Sequence, residues 1–472
     1  MSRKYEMTIG GRSVPADDYR EIRNPADTNE VVGLAPVGNT GHLDTAVSAA
    51  KEAFRSWRRT SSAERETACN AIADVIGENA SELQELLTRE QGKALKGMGS
   101  EFEIGGCIGW TQFTAGLGFE DKVIEDSERG RIVLHREPFG VVGSITPWNW
   151  PLLIAIWHVV PAIRAGNTVV IKPSPFTPLG TLRMFELVAE KLPPGLINVV
   201  SGGDELGAAV SEHKDIGKLV FTGSINTGKK IMSSASSTLK ALTLELGGND
   251  PAIVLDDTDV DKAVEGLFWS SMINSGQTCG AIKRLYVHDS IYERTCKALV
   301  AFAENIPMGD GMDANNLLGP LQNGRQFERV VDLTSDARKQ GARILCGGEP
   351  RGGDNYFYPV TFVADIEDGT SLVDEEQFGP VLPIIRYSDV NNAVRSANAL
   401  EYGLCASVWG SDGQRTRNVA AELEAGTVYI NKHAEIAPHV PFGGIKCSGL
   451  GVEFGQEGLE AYTTIKIINA AA

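Results

Sequence analysis

Four short β-rich runs, each ending in turn residues and separated by helical stretches, constrain this chain more than any other feature. They are VVGSITP at 141–147, TVVIKPS at 168–174, LINVVSGG at 196–203 and KLVFTGS at 218–224. Alternation of strand, loop, helix and strand predicts a parallel sheet with helices on both faces, because parallel neighbours need a crossover to return the chain. Ligands of such sheets bind at the carboxyl ends of the strands, where Pro147, Lys172, Gly203 and Gly223 sit here. After Leu246 a second series of the same texture follows: AIVLDD, RLYVHDS, RILCGG, LPIIRYS, ASVWGS and TVYINK. The 472 residues exceed what one core can serve, since single cores stop growing at roughly 250–300 residues. Two α/β domains with a cleft between them are therefore expected, a common layout for a cofactor enzyme.

The N-terminal third reads differently. After a short hairpin-like start, Leu43, Ala46, Val47, Ala50, Phe54 and Trp57 recur at helical spacing. Ile72, Val75, Ile76, Leu83, Leu86 and Leu87 predict one further amphipathic helix. The most apolar run, from Trp150 to Ile163, contains His158 and Pro161 and is too short to span a bilayer, so a buried helix is expected. Two segments fit neither α/β series: the charged 118–137, with its alternating GRIVLHRE, and the C-terminal AYTTIKIINA at 461–470. Paired as a protruding β flap, their bare edges invite another chain, which points to a homodimer or homotetramer.

Composition removes several function classes. With 42% hydrophobic and 22% charged residues, large cores form and global disorder is excluded. A formal net charge of −17 makes nucleic acid or an anionic membrane a poor partner. The seven cysteines are odd in number and contain no CxxC pair, and the start MSRKYEMTIGG reads as no signal peptide. A reducing cytoplasm is the natural location. No His/Cys/Asp/Glu cluster has ligand spacing, so no metal site is expected.

Six motifs carry chemistry. In SGQTCG, Cys279 lies among small residues, and Gly276 and Gly280 allow close approach of a substrate; taken singly, such a cysteine is more often a buried hydrophobe. In LELGGNDP, Glu245 ends a β-like run before two glycines, a place for a general base or for an ordinary cap. In TPWNWP, Asn149 is an amide held among tryptophans, able to donate to an oxyanion or to cap a helix. In VIKPSPFTP, Lys172 ends a strand, where it can meet a ribose hydroxyl or a phosphate or stand in solvent. FTGSINTG spaces Gly223 and Gly228 as G-x-x-x-x-G, which fails the usual dinucleotide fingerprint but keeps a small-residue turn opening a helix. In EEQFGPVLP, Glu376 can hold a sugar hydroxyl and Phe378 can pack on a flat ring, unless this is only a polar turn.

Taken in order, Asn149, Lys172, Gly223, Glu245, Cys279, Glu376 and Phe378 in their motifs resemble the NAD(P)-dependent aldehyde dehydrogenase superfamily, in its non-phosphorylating, hydrolytic branch. The resemblance runs from the N-terminal helices to PFGGIKCSG at 441–449 and the terminal strand. It implies two Rossmann-like parallel-sheet domains plus a small β oligomerisation flap. The NAD(P)-binding domain would take 1–117 and 138–247, the catalytic domain 248–455, and the flap 118–137 and 456–472. It also implies that Cys279 is the nucleophile, Glu245 the general base, and Asn149 an oxyanion donor beside the backbone N–H of Cys279. The cofactor would be lined by Thr146, Pro147, Trp148, Asn149, Lys172, Ser174, Pro175, Gly203, Gly207, Phe221, Gly223, Ser224, Leu246 and Gly247, with Gln326, Glu376 and Phe378 across the cleft. The substrate tunnel would be lined by Trp150, Ile154, Trp157, Thr278, His433, Ile436 and Phe442, whose aromatics favour an apolar or aromatic aldehyde.

One position departs from the family pattern. NAD-preferring members often carry glutamate three residues after the lysine; here that place holds Pro175, which neither binds a ribose diol nor repels a 2′-phosphate. NAD is expected, and NADP stays open. The nearest rival is a CoA-acylating semialdehyde dehydrogenase, a branch that typically lacks the LELGG glutamate present here as Glu245. A cysteine hydrolase would need a histidine partner, and none of the seven histidines sits in a recognisable catalytic setting.

Overall fold

A computed structural model describes residues 3–472, so the first two residues of the span 1–117 lie outside the described residues. Its first sheet holds five parallel strands in the order Ala241–Glu245, Lys218–Thr222, Val141–Ile145, Thr168–Lys172 and Ile197–Val199. The chain starts at the central Val141–Ile145, steps outward twice, then returns to its other side. This is the doubly wound order, with its switch point between Val141–Ile145 and Lys218–Thr222. The N-terminal hairpin Met7–Ile9 and Arg12–Val14 extends one edge antiparallel, and Gly449–Leu450 pairs antiparallel on the other. That last pairing ties residues from within the span 248–455 to the first sheet.

Both faces of this sheet are covered. Val169 and Ile171 point into a core built with helices Ser62–Glu78, Ser100–Ala115 and Pro151–Arg164, whereas Val170 points into a second core with helix Thr40–Trp57. A strand buried on two sides has no polar face, which is why TVVIK is a continuous apolar run. The helix Pro151–Arg164 is buried as its composition predicts, and no helix among the described residues is long and apolar enough to cross a membrane.

The second sheet has six parallel strands, ordered Thr361–Ile366, Val381–Tyr387, Ile282–His288, Asp250–Val254, Cys405–Trp409 and Thr427–Ile430. RILC, expected in the α/β series, is an antiparallel edge strand, Arg343–Cys346, on Thr361–Ile366. The sequence does not single out the latter strand, whose apolar pattern is interrupted by the acidic, exposed Asp365. The flap forms as expected, with Thr463–Ala470 antiparallel to Gly130–Pro138 from Thr463 opposite Pro138 to Ala470 opposite Arg131. Lys122–Ser127 adds a third strand.

Two local readings need correction. The single helix expected over 72–87 is two, Ser62–Glu78 and Ala80–Gln91. Asn79 leaves the helical region at φ −114°, ψ 17°, and its side-chain amide donates to the Val75 carbonyl, competing with the backbone ladder. The helical N-terminal third also contains an antiparallel ribbon, Tyr19–Asn24 with Asp27–Pro36. Leu285, fully buried in the central strand Ile282–His288, tests the second core. Leu285→Ala is expected to destabilise that unit by ~2–5 kcal/mol, read as a lowered urea midpoint; an unchanged midpoint contradicts the packing described.

Candidate active site

A cleft of about 840 Å³ opens at the switch point of the first sheet. Thr146 to Asn149 leave the central strand into it, Thr222 to Ser224 leave its neighbour, and Lys172, Ser174 and Pro175 leave the strand on the other side. Across the cleft stand Gln326, Glu376 and Phe378, the last edge-on to Trp148 with ring centroids 5.3 Å apart. Every residue singled out for the cofactor lines this cleft except Gly203. Gly203 is an extended helix cap with open space where a Cβ would be, so it forms no wall; the neighbouring Asp204 does. Thr222, inside the FTGSINTG motif, also lines it, as do Lys230, Arg325, Arg329 and Tyr402, which had no motif to announce them.

The cleft is built for a polar, anionic ligand. Helix Ile225–Ala235 starts at its wall, capped where Ser224 Oγ accepts from the Thr227 N–H at 3.3 Å. Free N–H groups at such a helix start attract phosphate. A Cβ on Gly223 would lie 2.4 Å from the Phe221 ring, so the turn needs glycine. Lys172 is buried, and its Nζ makes only a 3.3 Å contact to the Pro173 carbonyl. Burial pulls that ammonium down to about 8, opposed by Asp204. The hydroxyl of Thr146 is buried without a partner among the described residues. A cation with one long bond and a hydroxyl with none are groups left open for a ligand.

Cys279 enters from the amino end of the second sheet, just before strand Ile282–His288. The turn ahead of it is strained: Asn274, Ser275 and Gly276 stand at φ 51°, 54° and 73°. Left-handed non-glycine residues cost ~1–3 kcal/mol each and persist only where surroundings over-determine them. Here Asn274 Nδ2 donates to the Asn149 carbonyl (2.9 Å), Ser275 Oγ to the Gly319 carbonyl (2.7 Å), and Gln277 Nε2 to the Asn274 carbonyl (3.0 Å). A Cβ on Gly276 would fall 2.1 Å from the Gly379 oxygen. The Asn149 amide donates to the Gln277 carbonyl at 2.9 Å, and Trp150 Nε1 donates to Thr278 Oγ1 at 3.0 Å. Asn149, Trp150 and the Cys279 loop are thus stitched together.

The electrostatics resist ionisation. Burial pushes the Cys279 thiol up to about 12; Lys283 draws it down, while Glu245, Glu376 and Asp250 push it further. Lys283 is buried, donates to the Thr278 carbonyl at 2.9 Å and to the Cys279 carbonyl, and pairs with Glu376 at 3.3 Å. Glu245 is buried with neither oxygen hydrogen-bonded among the described residues. Desolvation, then the nearby Glu453, holds its carboxyl well above the usual range. An unpartnered carboxyl of raised proton affinity, whose charge is felt at the Cys279 thiol, is suited to take a proton.

With this geometry in hand, the chain matches the aldehyde dehydrogenase family over residues 14–468. The chain belongs to the aldehyde dehydrogenase family. It is 38% identical to phenylacetaldehyde dehydrogenase of Pseudomonas fluorescens, covering 98% of this chain and 95% of that one. An NAD+ complex of aldehyde dehydrogenase from Bacillus cereus superposes with a TM-score of 0.96 at 36% identity, covering 99% and 97%. An NADP-dependent enzyme of E. coli gives 0.96 at 34% identity, covering 100% and 98%. As an aldehyde dehydrogenase by family, the protein is an oxidoreductase.

In this aldehyde dehydrogenase the residues expected to line a substrate tunnel divide in two. Phe442 and Ile436 pack with Cys405, Tyr429, Phe454 and Cys279 itself. Phe454 lies 4.7 Å from the Trp157 ring and 5.9 Å from Trp110, and stacks on Phe442 at 6.0 Å. Trp110 and Phe454 escaped the sequence reading, since each sits in a helix or turn with no motif. Ile154, by contrast, is packed in the main core, and His433 is buried 3.6 Å from Asp250. Labelling of Cys279 by iodoacetamide in cofactor-free protein, followed by mass spectrometry, is expected to keep accelerating between about pH 7 and pH 10. A plateau reached by about pH 9.5, as for an ordinary thiol with a pKa of about 8.5, contradicts the buried setting.

Proposed function

We propose that the protein oxidises an aldehyde to a carboxylic acid with NAD(P)+ and water through a thioester on Cys279. The observation that carries this is the junction of three groups at one place: a thiol on a braced loop, an unpartnered buried carboxyl, and an amide tied to that loop. The Cys279 proton passes to the ionised Glu245 and on to solvent, and the sulfur bonds to the aldehyde carbon, sending the carbonyl π electrons to oxygen. An Asn149 amide nitrogen carries two hydrogens; one is held by the Gln277 carbonyl, leaving the other for the oxyanion, beside the Cys279 N–H. The bound nicotinamide supplies a hydride acceptor. As the carbon–oxygen double bond re-forms, Cys279 is left as a thioester. Glu245 then takes a proton from water, the hydroxide adds to the carbonyl carbon, and the carbon–sulfur bond breaks to release the acid and the thiol.

The cofactor reading rests on the open polar groups of the cleft and on the relatives, of which one is an NAD+ complex and another an NADP-dependent enzyme. NAD is favoured, and the Pro175 wall leaves NADP admissible. The ring set Trp110, Trp157, Phe442 and Phe454 beside Cys279 supports an apolar or aromatic aldehyde, in line with a relative named for phenylacetaldehyde. The proposed domains are 1–117 with 138–247 for the cofactor, 248–455 for catalysis, and 118–137 with 456–472 for assembly. Exposed Val123, Ile124, Ile465, Ile467 and Ile468 on the flap support a homodimer or homotetramer. Seven free cysteines support a reducing cytoplasm.

The test is absorbance at 340 nm over an aldehyde panel with NAD and NADP in parallel. Wild type is expected to reduce cofactor without CoA, best with aromatic aldehydes, and Cys279→Ala to be inert. Reduction only when CoA is added would instead mean acyl transfer to CoA, and a clear preference for a charged aliphatic semialdehyde would remove the aromatic reading. Glu245→Gln is expected to give a burst of about one equivalent per active site and then stall, since the thioester outlives its base. In wild type, acid release is expected to rise with pH through a range above ordinary carboxylates. Only the ionised Glu245 accepts a proton, and its burial raises the pH at which it ionises.

A further inference from the structure

Behind Asn149 lies a pair of charges that the reaction scheme leaves unused. Lys93 follows helix Ala80–Gln91 and Glu103 belongs to helix Ser100–Ala115; their side chains form an ion pair 1% and 0% exposed. Taking two charges out of water is costly, and apolar residues of equal volume would fill the space without that penalty. The pair is aimed at one short stretch of chain. Lys93 Nζ donates to the Asn149 carbonyl at 2.8 Å and lies 3.6 Å from the centre of the Trp150 ring. Glu103 Oε1 accepts from the Leu152 and Leu153 N–H groups at 2.9 and 3.1 Å, the free donors at the start of helix Pro151–Arg164.

The two residues gripped by Lys93 both reach the Cys279 loop. Asn149 Nδ2 donates to Gln277 and Trp150 Nε1 to Thr278, and Asn274 shares the Asn149 carbonyl with Lys93. With one amide hydrogen of Asn149 held by Gln277, the direction of the other depends on where the Asn149 backbone stands. The ammonium of Lys93 and the Asn274 amide together hold that backbone by its carbonyl oxygen.

We propose that Lys93, neutralised by Glu103, is a positioning residue for aldehyde oxidation: it fixes the Asn149 carbonyl so that the Asn149 amide points at the developing oxyanion. The inference rests on the reading of Asn149 as oxyanion donor. It acts through Asn149 and touches neither substrate nor cofactor.

The test is a double-mutant cycle on the full-length enzyme with saturating nicotinamide cofactor and aldehyde. It is read as kcat, as cofactor KM, and as the isotope effect with aldehyde deuterated at the carbonyl carbon. Lys93→Met is the first variant. Lys93→Met with Glu103→Gln is the second; it strands no buried charge and keeps an oxygen for Leu152 and Leu153, so it serves if the first fails to fold. Either is expected to lower kcat about 10- to 100-fold and raise the isotope effect, with cofactor KM unchanged. In an Asn149→Ala background the same change is expected to cost less than about threefold, because the amide it aims is gone. Equal losses in both backgrounds, or no loss in the wild-type background, overturn the role of Lys93. Full kcat in Asn149→Ala alone overturns the oxyanion reading and the Lys93 role with it. A crippled Asn149→Ala with additive losses overturns only Lys93.

Discussion

Two parallel sheets, each buried on both faces, leave a polar ligand nowhere to bind except at strand ends. The rest of the molecule follows from this constraint. The first sheet presents carboxyl ends at its switch point, where Thr146, Lys172 and Gly223 leave their strands with unsatisfied or flexible groups. The second sheet presents amino ends, and Cys279 enters there through a turn no regular element could supply. A thiol and a cofactor cleft contributed by opposite ends of two sheets meet only because the sheets face each other across one gap. Asn149, leaving the first sheet, ties to Gln277 on the loop from the second.

Enclosure sets the chemistry. The same desolvation acts on Cys279 and Glu245, and it disfavours the charged form of both. For Cys279 to act as proposed, its thiolate has to be favoured by the groups around it. Lys283, whose ammonium holds the Cys279 carbonyl, is the positive charge that works in that direction. Glu376 partly offsets it, being ion-paired to Lys283 and bonded to the Gly248 N–H. Glu245 has no ion pair, and that keeps it a strong base once ionised.

Much of the site was legible because its residues sit in turns whose requirements are local. Gly223 beside Phe221, and the run of Pro147 and Asn149 after an apolar strand, declare themselves within a few residues. Gly203 had the same local setting at a strand end, yet the neighbouring Asp204 and not Gly203 lines the cleft. Asn79 shows the limit of periodicity: six apolar residues kept one phase across a helix break that a single side-chain bond to Val75 enforces. Thr361–Ile366 was hidden by Asp365, which breaks a short apolar run and stands exposed within it.

The sequence by itself determined the two α/β units, the flap pairing and the order of chemistry-bearing motifs. Strand, helix and turn preferences act over a few residues, and a parallel sheet follows from their alternation. Only the tertiary structure decided which charges surround them. Lys93 against Asn149, Lys283 against Glu376, Glu453 beside Glu245, and Phe454 against Trp157 are contacts between segments far apart in the chain. Burial and the electrostatic field of a buried group depend on everything packed around it, and no local pattern records that.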